Sequence, residues 1–451
     1  MALTTLRCLR APRARWSAPA LAAMLVAAGC SGDDGDDDDD DVTADAGPGG
    51  TDGGGGGCGS TEPAALPAEL GIVDDDADWL CGNLPEAPQE DDNLGQVIAG
   101  ATSCLGQSGP AVAGKDVWVA PDGSDAASGA NRNQALATLR EALCRVAPGQ
   151  TIHIEPGTYL GAAAVAALGD ANSETIVIRG EGDAPSDVVL DCEHWRSAAI
   201  TLGESFNIRI ENLTVQHCID AGIQTLNGAG VTIDNVVSRN NGRCSVNLDS
   251  EGEGFGLNLV GTKNVAVTNS VFEDNGPLLA RVLCGEVLGT GINTFAISGR
   301  VANNTIRRTR GGAMLIEDGD DATVEDNLGE HNFLLALNNY WDAGLWIDGA
   351  VGVTARNNTF KDNYGGVGII VSDSDNQYPD GRSKNVTIQG NTIDGHLAGI
   401  HVWGFGACPP PSDVVTNYAT LEADNTLTNN AFQGDAFPIR CDEEFFGGVE
   451  P

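Results

Sequence analysis

From about Ser205 to Phe432 the chain repeats one phrase: a short β-branched run, an Asn, a second apolar run, a polar turn, then a Gly followed by alternating apolar residues. It reads Val265-Ala-Val-Thr-Asn269-Ser-Val-Phe, Val353-Thr-Ala-Arg-Asn-Asn358-Thr-Phe and Val386-Thr-Ile-Gln-Gly-Asn391-Thr-Ile, and Gly222, Gly256, Gly291, Gly344, Gly368 and Gly399 open the later runs. Apolar residues recur with period two, so each run predicts a strand; a helical stripe would recur every three or four residues. Such strands are too short to bury a face alone, and the phrase predicts a solenoid whose coils stack at roughly 4.8 Å. Asparagines at 212, 235, 269, 304, 327, 358, 391 and 430, spaced 23 to 39 residues apart, are read as one position of successive coils. Asn suits a tight bend because it tolerates left-handed φ/ψ and bonds neighbouring backbone.

The phrase resembles the right-handed parallel β-helix repeat of the pectate-lyase-like superfamily, found in many extracellular polysaccharide-acting proteins. The resemblance implies an all-β fold. Upstream, Leu136, Leu139, Leu143 and Val146 have helical spacing, ended by Pro148-Gly149, before Thr151-Ile-His-Ile-Glu-Pro-Gly157-Thr-Tyr159 starts the regular strands. This resembles the module that opens many extracellular β-helices, in which an N-terminal capping helix covers an otherwise naked sheet edge.

The ends of the chain suggest its compartment. Arg7, Arg10, Arg13 and Arg15 precede an apolar stretch, Ala18 to Ala28, which is too short for a permanent membrane span. Leu25-Val-Ala-Ala-Gly29-Cys30 resembles a bacterial lipobox with Ala27 where Leu is usual, which implies a signal at 1–29 and lipidation of Cys30. Ser31 in place of Asp implies the outer membrane or cell surface; plain secretion is the alternative. Residues 30–57, Asp- and Gly-rich, read as a disordered tether; 58–114 as an irregular, disulfide-tied segment; 115–451 as the β-helix with its C-terminal cap. A monomer is expected.

Net charge is −40, and without the signal arginines −44, 20 basic against 64 acidic. That field argues against nucleic acid and anionic lipid as partners, leaving a lipid anchor as the membrane contact. A polyanionic glycan would need Ca²⁺ or local cations to approach. Beyond Cys8 and Cys30 an even number of cysteines remains, without a CxxC, which favours disulfides over zinc. Repeat register suggests Cys244 with Cys284, Cys408 with Cys441, and Cys192 with Cys218.

Long insertions flank the Gly-initiated strands, before them at 241–253, 276–290 and 332–343, and after them at 372–384 and 404–420. They would wall a groove for an extended polysaccharide. Period-two alternation puts Ile223, Leu257, Ile292, Ala313, Leu345, Ile369 and Ile400 inside. It puts Gln224, Asn258, Asn293, Met314, Trp346, Ile370 and His401 outside, and in a second outward row Leu226, Val260, Phe295, Ile316, Asp348, Ser372 and Trp403. Trp346, Trp403, Trp341, Tyr340 and Asp342 are the candidate substrate-binding residues, since sugar C–H faces pack on aromatic rings while hydroxyls bond carboxylates.

A hydrolase would use a carboxylate pair such as Asp348 and Asp373. A lyase would need a base and a cation; Lys361, Arg356, Arg308 and Arg310 are the nearby basic groups, and His401 the best-placed histidine, ahead of His331. Asp373 and Asp375 are the candidate Ca²⁺ ligands. Trp346-Ile347-Asp348 resembles part of a pectate-lyase motif, with Gly349 where that family has His. The polygalacturonase-type Asn-Thr-Asp, Gly-His-Gly and Arg-Ile-Lys motifs are absent. The reading is a surface-tethered polysaccharide lyase or glycoside hydrolase; the alternative is a non-catalytic glycan-binding or structural surface protein. Converging acid and base groups would mark the enzyme.

Overall fold

The computed structural model describes residues 109–194, 196–242, 254–276, 290–332, 343–363, 366–372, 383–432 and 434–442. The signal, the tether and most of 58–114 lie outside the described residues, as do Cys244 and Cys284. Within them the chain is a parallel β-helix of three faces. Strands such as Val265–Thr268, Gly299–Ala302, Ala322–Glu325 and Thr354–Arg356 form sheet one. Val271–Glu273, Thr305–Arg307, Leu328–Glu330 and Thr359–Lys361 belong to sheet two. Strands Ile208–Gln216 and Thr232–Arg239 run through both, which joins the two faces into one 18-stranded sheet. The Gly-initiated strands form the separate 10-stranded sheet three, including Ala221–Leu226, Ile292–Phe295, Met314–Glu317, Ala343–Asp348, Val367–Ser372 and Ala398–Trp403.

The core is a stack of aligned side chains. Ile200, Ile223, Leu257, Ile292, Met314, Leu345, Ile369 and Ile400 follow one another in register along sheet three, each essentially inaccessible. Burying each is worth about 1.5–3 kcal/mol. Opposite them, Phe360 of sheet two explains one of the glycines: a Cβ on Gly344 would lie 2.6 Å from its Cδ1.

This register corrects the sequence reading at one coil. Aligning on Gly312 places Ala313 inside and Met314 and Ile316 outside; the structure pairs Ile292 with Met314 and Phe295 with Glu317. Ala313 occupies the glycine position, and Met314 and Ile316 face the core. Alanine fits there because residue 329, alongside, is itself glycine: a Cβ built on Gly329 would lie 3.4 Å from that of Ala313.

The asparagines split into two classes. Asn212, Asn235 and Asn269 have φ of 53–56° at the corner between sheets one and two, where later coils have Asn303, Asp326 and Asn357. The next position forms a ladder of Ser270, Asn304, Asn327, Asn358, Asn391 and Asn425, in which the Oδ1 of each asparagine accepts from the backbone N–H of the ladder residue one coil earlier. The eight asparagines therefore are not one repeat position. Asn430 belongs to a second ladder, at the corner between sheets two and three, with Asn241, Asn275, Thr309, Asn332, Asn363 and His396. That ladder begins at Cys218, whose N–H donates to Asn241 and whose sulfur bonds Cys192.

Helix α1 spans Leu139–Arg145, shorter than the spacing from Leu136 suggests. Thr138 caps it by accepting from Glu141 N–H, and Asp125 in turn accepts from the N–H groups of Ala137 and Thr138. Leu136 instead pairs as an isolated bridge with Val119. Leu139, Ala142 and Leu143 join the main core. Cys408 and Cys441 are disulfide-linked, tying the last loop to the strand Ile439–Asp442.

Candidate functional site

The outward face of sheet three gathers several of the residues singled out by sequence. Register places Phe295, Glu317, Asp348, Ser372 and Trp403 in one row, and Asn293, Leu315, Trp346, Ile370, His401 and Arg440 in the adjacent row. Strand neighbours lie roughly 4.8 Å apart, so Glu317 and Asp348 are two carboxylate residues on consecutive rungs. Glu317 was hidden from the sequence reading by the slip at Gly312; the signal that finds it is the alternation Met314-Leu-Ile-Glu317, with the apolar pair Met314 and Ile316 on the core face.

Asp348 is held in place. Trp346 Nε1 donates to Ser372 Oγ at 2.7 Å, and Ser372 Oγ donates to Asp348 Oδ1 at 2.8 Å. Asp348 is 7% exposed and His401 1%. Beside this polar chain, Ala343, Val367, Ile370 and Ala398 form an apolar cluster outside the sheet, onto which Trp346, Leu397 and Phe437 pack. Arg440 stands 5.8 Å above the Phe437 ring. Trp346 therefore has one part in an apolar patch and its N–H in the hydrogen-bond chain, the two-sided use to which indole is suited. Trp403 follows Ser372 in its row and is half-buried.

Other candidates go elsewhere. Lys361 is not part of this site: period-two alternation puts it outward on sheet two, where its ammonium pairs with Glu330 at 3.1 Å, a bond that raises its pKa. Arg356 lies on sheet one against Glu325, which it shares with Arg300. Arg308 pairs with Asp274 and Glu273. His331 sits at a corner with φ 56°. Tyr340, Trp341, Asp342, Asp373 and Asp375 lie outside the described residues. Among the described residues no group of three or more His, Cys, Asp and Glu is arranged to hold a metal ion.

Several solved structures align with the chain. An alginate lyase from Paenibacillus sp. str. FPU-7 aligns over 67% of this chain and 95% of its own, at 17% identity and a TM-score of 0.47. A GH136 lacto-N-biosidase from Eubacterium ramulus aligns over 72% and 68%, at 12% identity and 0.43. Pectate lyase Pel9A aligns over 76% and 79%, at 13% identity and 0.43. No curated protein sequence matches the chain. Residues 171–432, more than half of the chain, match the sequence family described as "Right handed beta helix region". The parallel stack, the corner ladders and that match agree, and the chain belongs to the right-handed β-helix family.

Proposed function

We propose that the protein is a carbohydrate-active β-helix protein that cleaves an extended polysaccharide laid along sheet three, with Glu317 and Asp348 as its acid pair. The observation that carries this reading is their pairing on neighbouring strands, with Trp346 on the strand of Asp348 and Trp403 two strands further along the same face. Glycoside hydrolysis uses two carboxylates, about 5–5.5 Å apart for retention, and one strand spacing is close to that separation. Tryptophans along the same face supply flat apolar surface for sugar rings.

The test is a depolymerisation screen on neutral and uronate polymers, with Ca²⁺ and with chelator, reading reducing ends and 235 nm absorbance. Reducing ends alone indicate hydrolysis, and new unsaturated ends a lyase. Glu317→Gln and Asp348→Asn are each expected to lower the rate about 10²–10⁴-fold. Loss on chelation would assign a Ca²⁺ role, for which Asp373 and Asp375 are the proposed ligands. Unchanged rates in both carboxylate variants would remove this pair from the reaction.

One observation favours a non-catalytic glycan-binding protein instead. Asp348 is nearly inaccessible and engaged by Ser372, as a purely structural carboxylate would be. Under that reading the screen is silent while glycan binding persists. The N-terminal sequence supports export with Cys30 as a lipid-bearing residue, and Cys30→Ala is expected to move the protein from the detergent phase to the aqueous phase.

A further inference from the structure

Among the described residues, Arg310 is a buried basic residue whose position the ion-pair pattern does not explain. Its neighbour Arg308 takes the nearby carboxylates, with Nε and Nη2 donating to Asp274 at 2.8 and 2.7 Å and Nη2 to Glu273 at 3.0 Å. Arg310 is only 5% exposed, its Nε has no hydrogen-bond partner, and among the described residues it joins no ion pair. Burial pulls its pKa down while the charge of Asp274 pushes back. A guanidinium nevertheless stays protonated, so this buried cation has no salt-bridge partner among the described residues. Such a group is destabilising unless something pairs with it.

Its place in the fold is specific. Arg310 lies at the corner where sheet two turns into sheet three, with its backbone N–H on Asn275 O at 2.8 Å. Gly276, one coil earlier, makes room for its stem: a Cβ there would lie 2.6 Å from Arg310 Cβ. At this corner the chain runs directly from Thr309 to Ala313, whereas the preceding coil inserts residues 277–289 and the following coil 333–342. Arg310 thus occupies the short turn between two lengthened ones, and the strand it leads into, Met314–Glu317, ends at the carboxylate residue Glu317.

The geometry points to Arg310 as the anchor for a carboxylate of an acidic sugar unit at the edge of sheet three. This rests on the reading of that sheet as a glycan-binding face and names its substrate class, a uronate-containing polymer. A planar fork of donors fits a carboxylate bidentately. Low local dielectric strengthens that contact, giving a net-negative protein a local means of holding a polyanion.

Binding of polygalacturonate, alginate, a neutral xylan and dextran sulfate to the full chain, measured by titration calorimetry, tests this. The expected result is uronate binding that Arg310→Met weakens about 30-fold or more and Arg310→Lys weakens less, with any neutral-glycan affinity unchanged. Arg310→Met should also melt no lower than the parent, because it removes an uncompensated buried charge. Uronate binding unaffected by Arg310→Met overturns the inference, as does binding confined to neutral glycan or to dextran sulfate; in each case the glycan-binding reading survives. A large loss of stability in Arg310→Met would make the guanidinium structural and likewise overturn it. Failure to bind any polymer defeats the glycan reading and this inference together.

Discussion

His396 shows how one side chain can alter the behaviour of a ladder. It replaces Asn between Asn363 and Asn430; Asn363 Nδ2 donates to its Nε2 at 3.0 Å, and its own N–H donates to Asn430 Oδ1. Its Nδ1 is buried without a hydrogen-bond partner. Burial pushes its pKa down to about 4, against the opposing pull of Asp394 and Asn430. Because the folded-state value lies below the ordinary one near 6.5, the unfolded chain binds more protons between these limits. Stability should therefore fall as pH drops from about 6.5 to 4, by about 3 kcal/mol at full protonation. Urea midpoints across that window measure it. His396→Asn restores the repeat residue and is expected to remove this part of the slope; an unchanged slope would assign the proton uptake to another group. Asp191 acts lower on the scale: burial would raise its pKa, but hydrogen bonds from His217, Gln216 and the Glu193 N–H bring it to about 2. Its contribution is present above pH 4 and lost between about 4 and 2.

At the scale of the element, the ladders and the corner residues next to them make different demands on the same residue type. Asn358 Oδ1 accepts from both the N–H and the Nδ2 of Asn327, while its Nδ2 donates to Val324 O and Asn391 Oδ1. Asn358→Ala strands several buried groups and should cost about 3 kcal/mol in chemical denaturation. Asn357, one residue earlier at φ 55°, occupies a position that the next coil fills with Gly390. Asn357→Gly should change stability by less than about 0.5 kcal/mol. Equal effects at 357 and 358 would refute the division into two classes. This pair also explains what the sequence concealed. Repeated short runs made the solenoid, the inward Ile and Leu row and the outward positions of Trp346, Asp348, His401 and Trp403 legible, because period two fixes sides once a strand is anchored. The anchor is the weak step, since a one-residue slip reverses every side. Gly311-Gly312-Ala313 offered two glycines where the fold uses an alanine, and that hid Glu317. Tandem Asn303-Asn304 and Asn357-Asn358 likewise merged an exposed corner with a buried ladder. Lys361 looked close to Asp348 along the chain, but it projects from sheet two, a different face of the coil from sheet three.

For the whole molecule the governing quantity is an excess of 40 carboxylates that no Lys or Arg can match. Sheets one and two pair their basic residues with acids, as in Arg300–Glu325–Arg356, Glu273–Arg307 and Glu330–Lys361. The basic partners in these pairs are substantially exposed, and such pairs contribute about 0–1 kcal/mol each. They limit local repulsion without cancelling it, because the acids outnumber their partners and the compact state holds them closer than the unfolded chain does. Added NaCl screens charges more than about 10 Å apart at 0.1 M and weakens contact pairs less. The melting temperature should therefore rise by several degrees between 0.02 and 0.5 M NaCl; a fall would mean that the ion pairs outweigh the repulsion. CaCl₂ at matched ionic strength separates screening from binding. A specific site stabilises by RT ln(1 + [Ca²⁺]/Kd), so an added increase that keeps growing with the logarithm of Ca²⁺ concentration and disappears in Asp373→Asn/Asp375→Asn would place the ion on that loop. Coincident NaCl and CaCl₂ curves would leave the chemistry of sheet three to Glu317, Asp348 and Arg310.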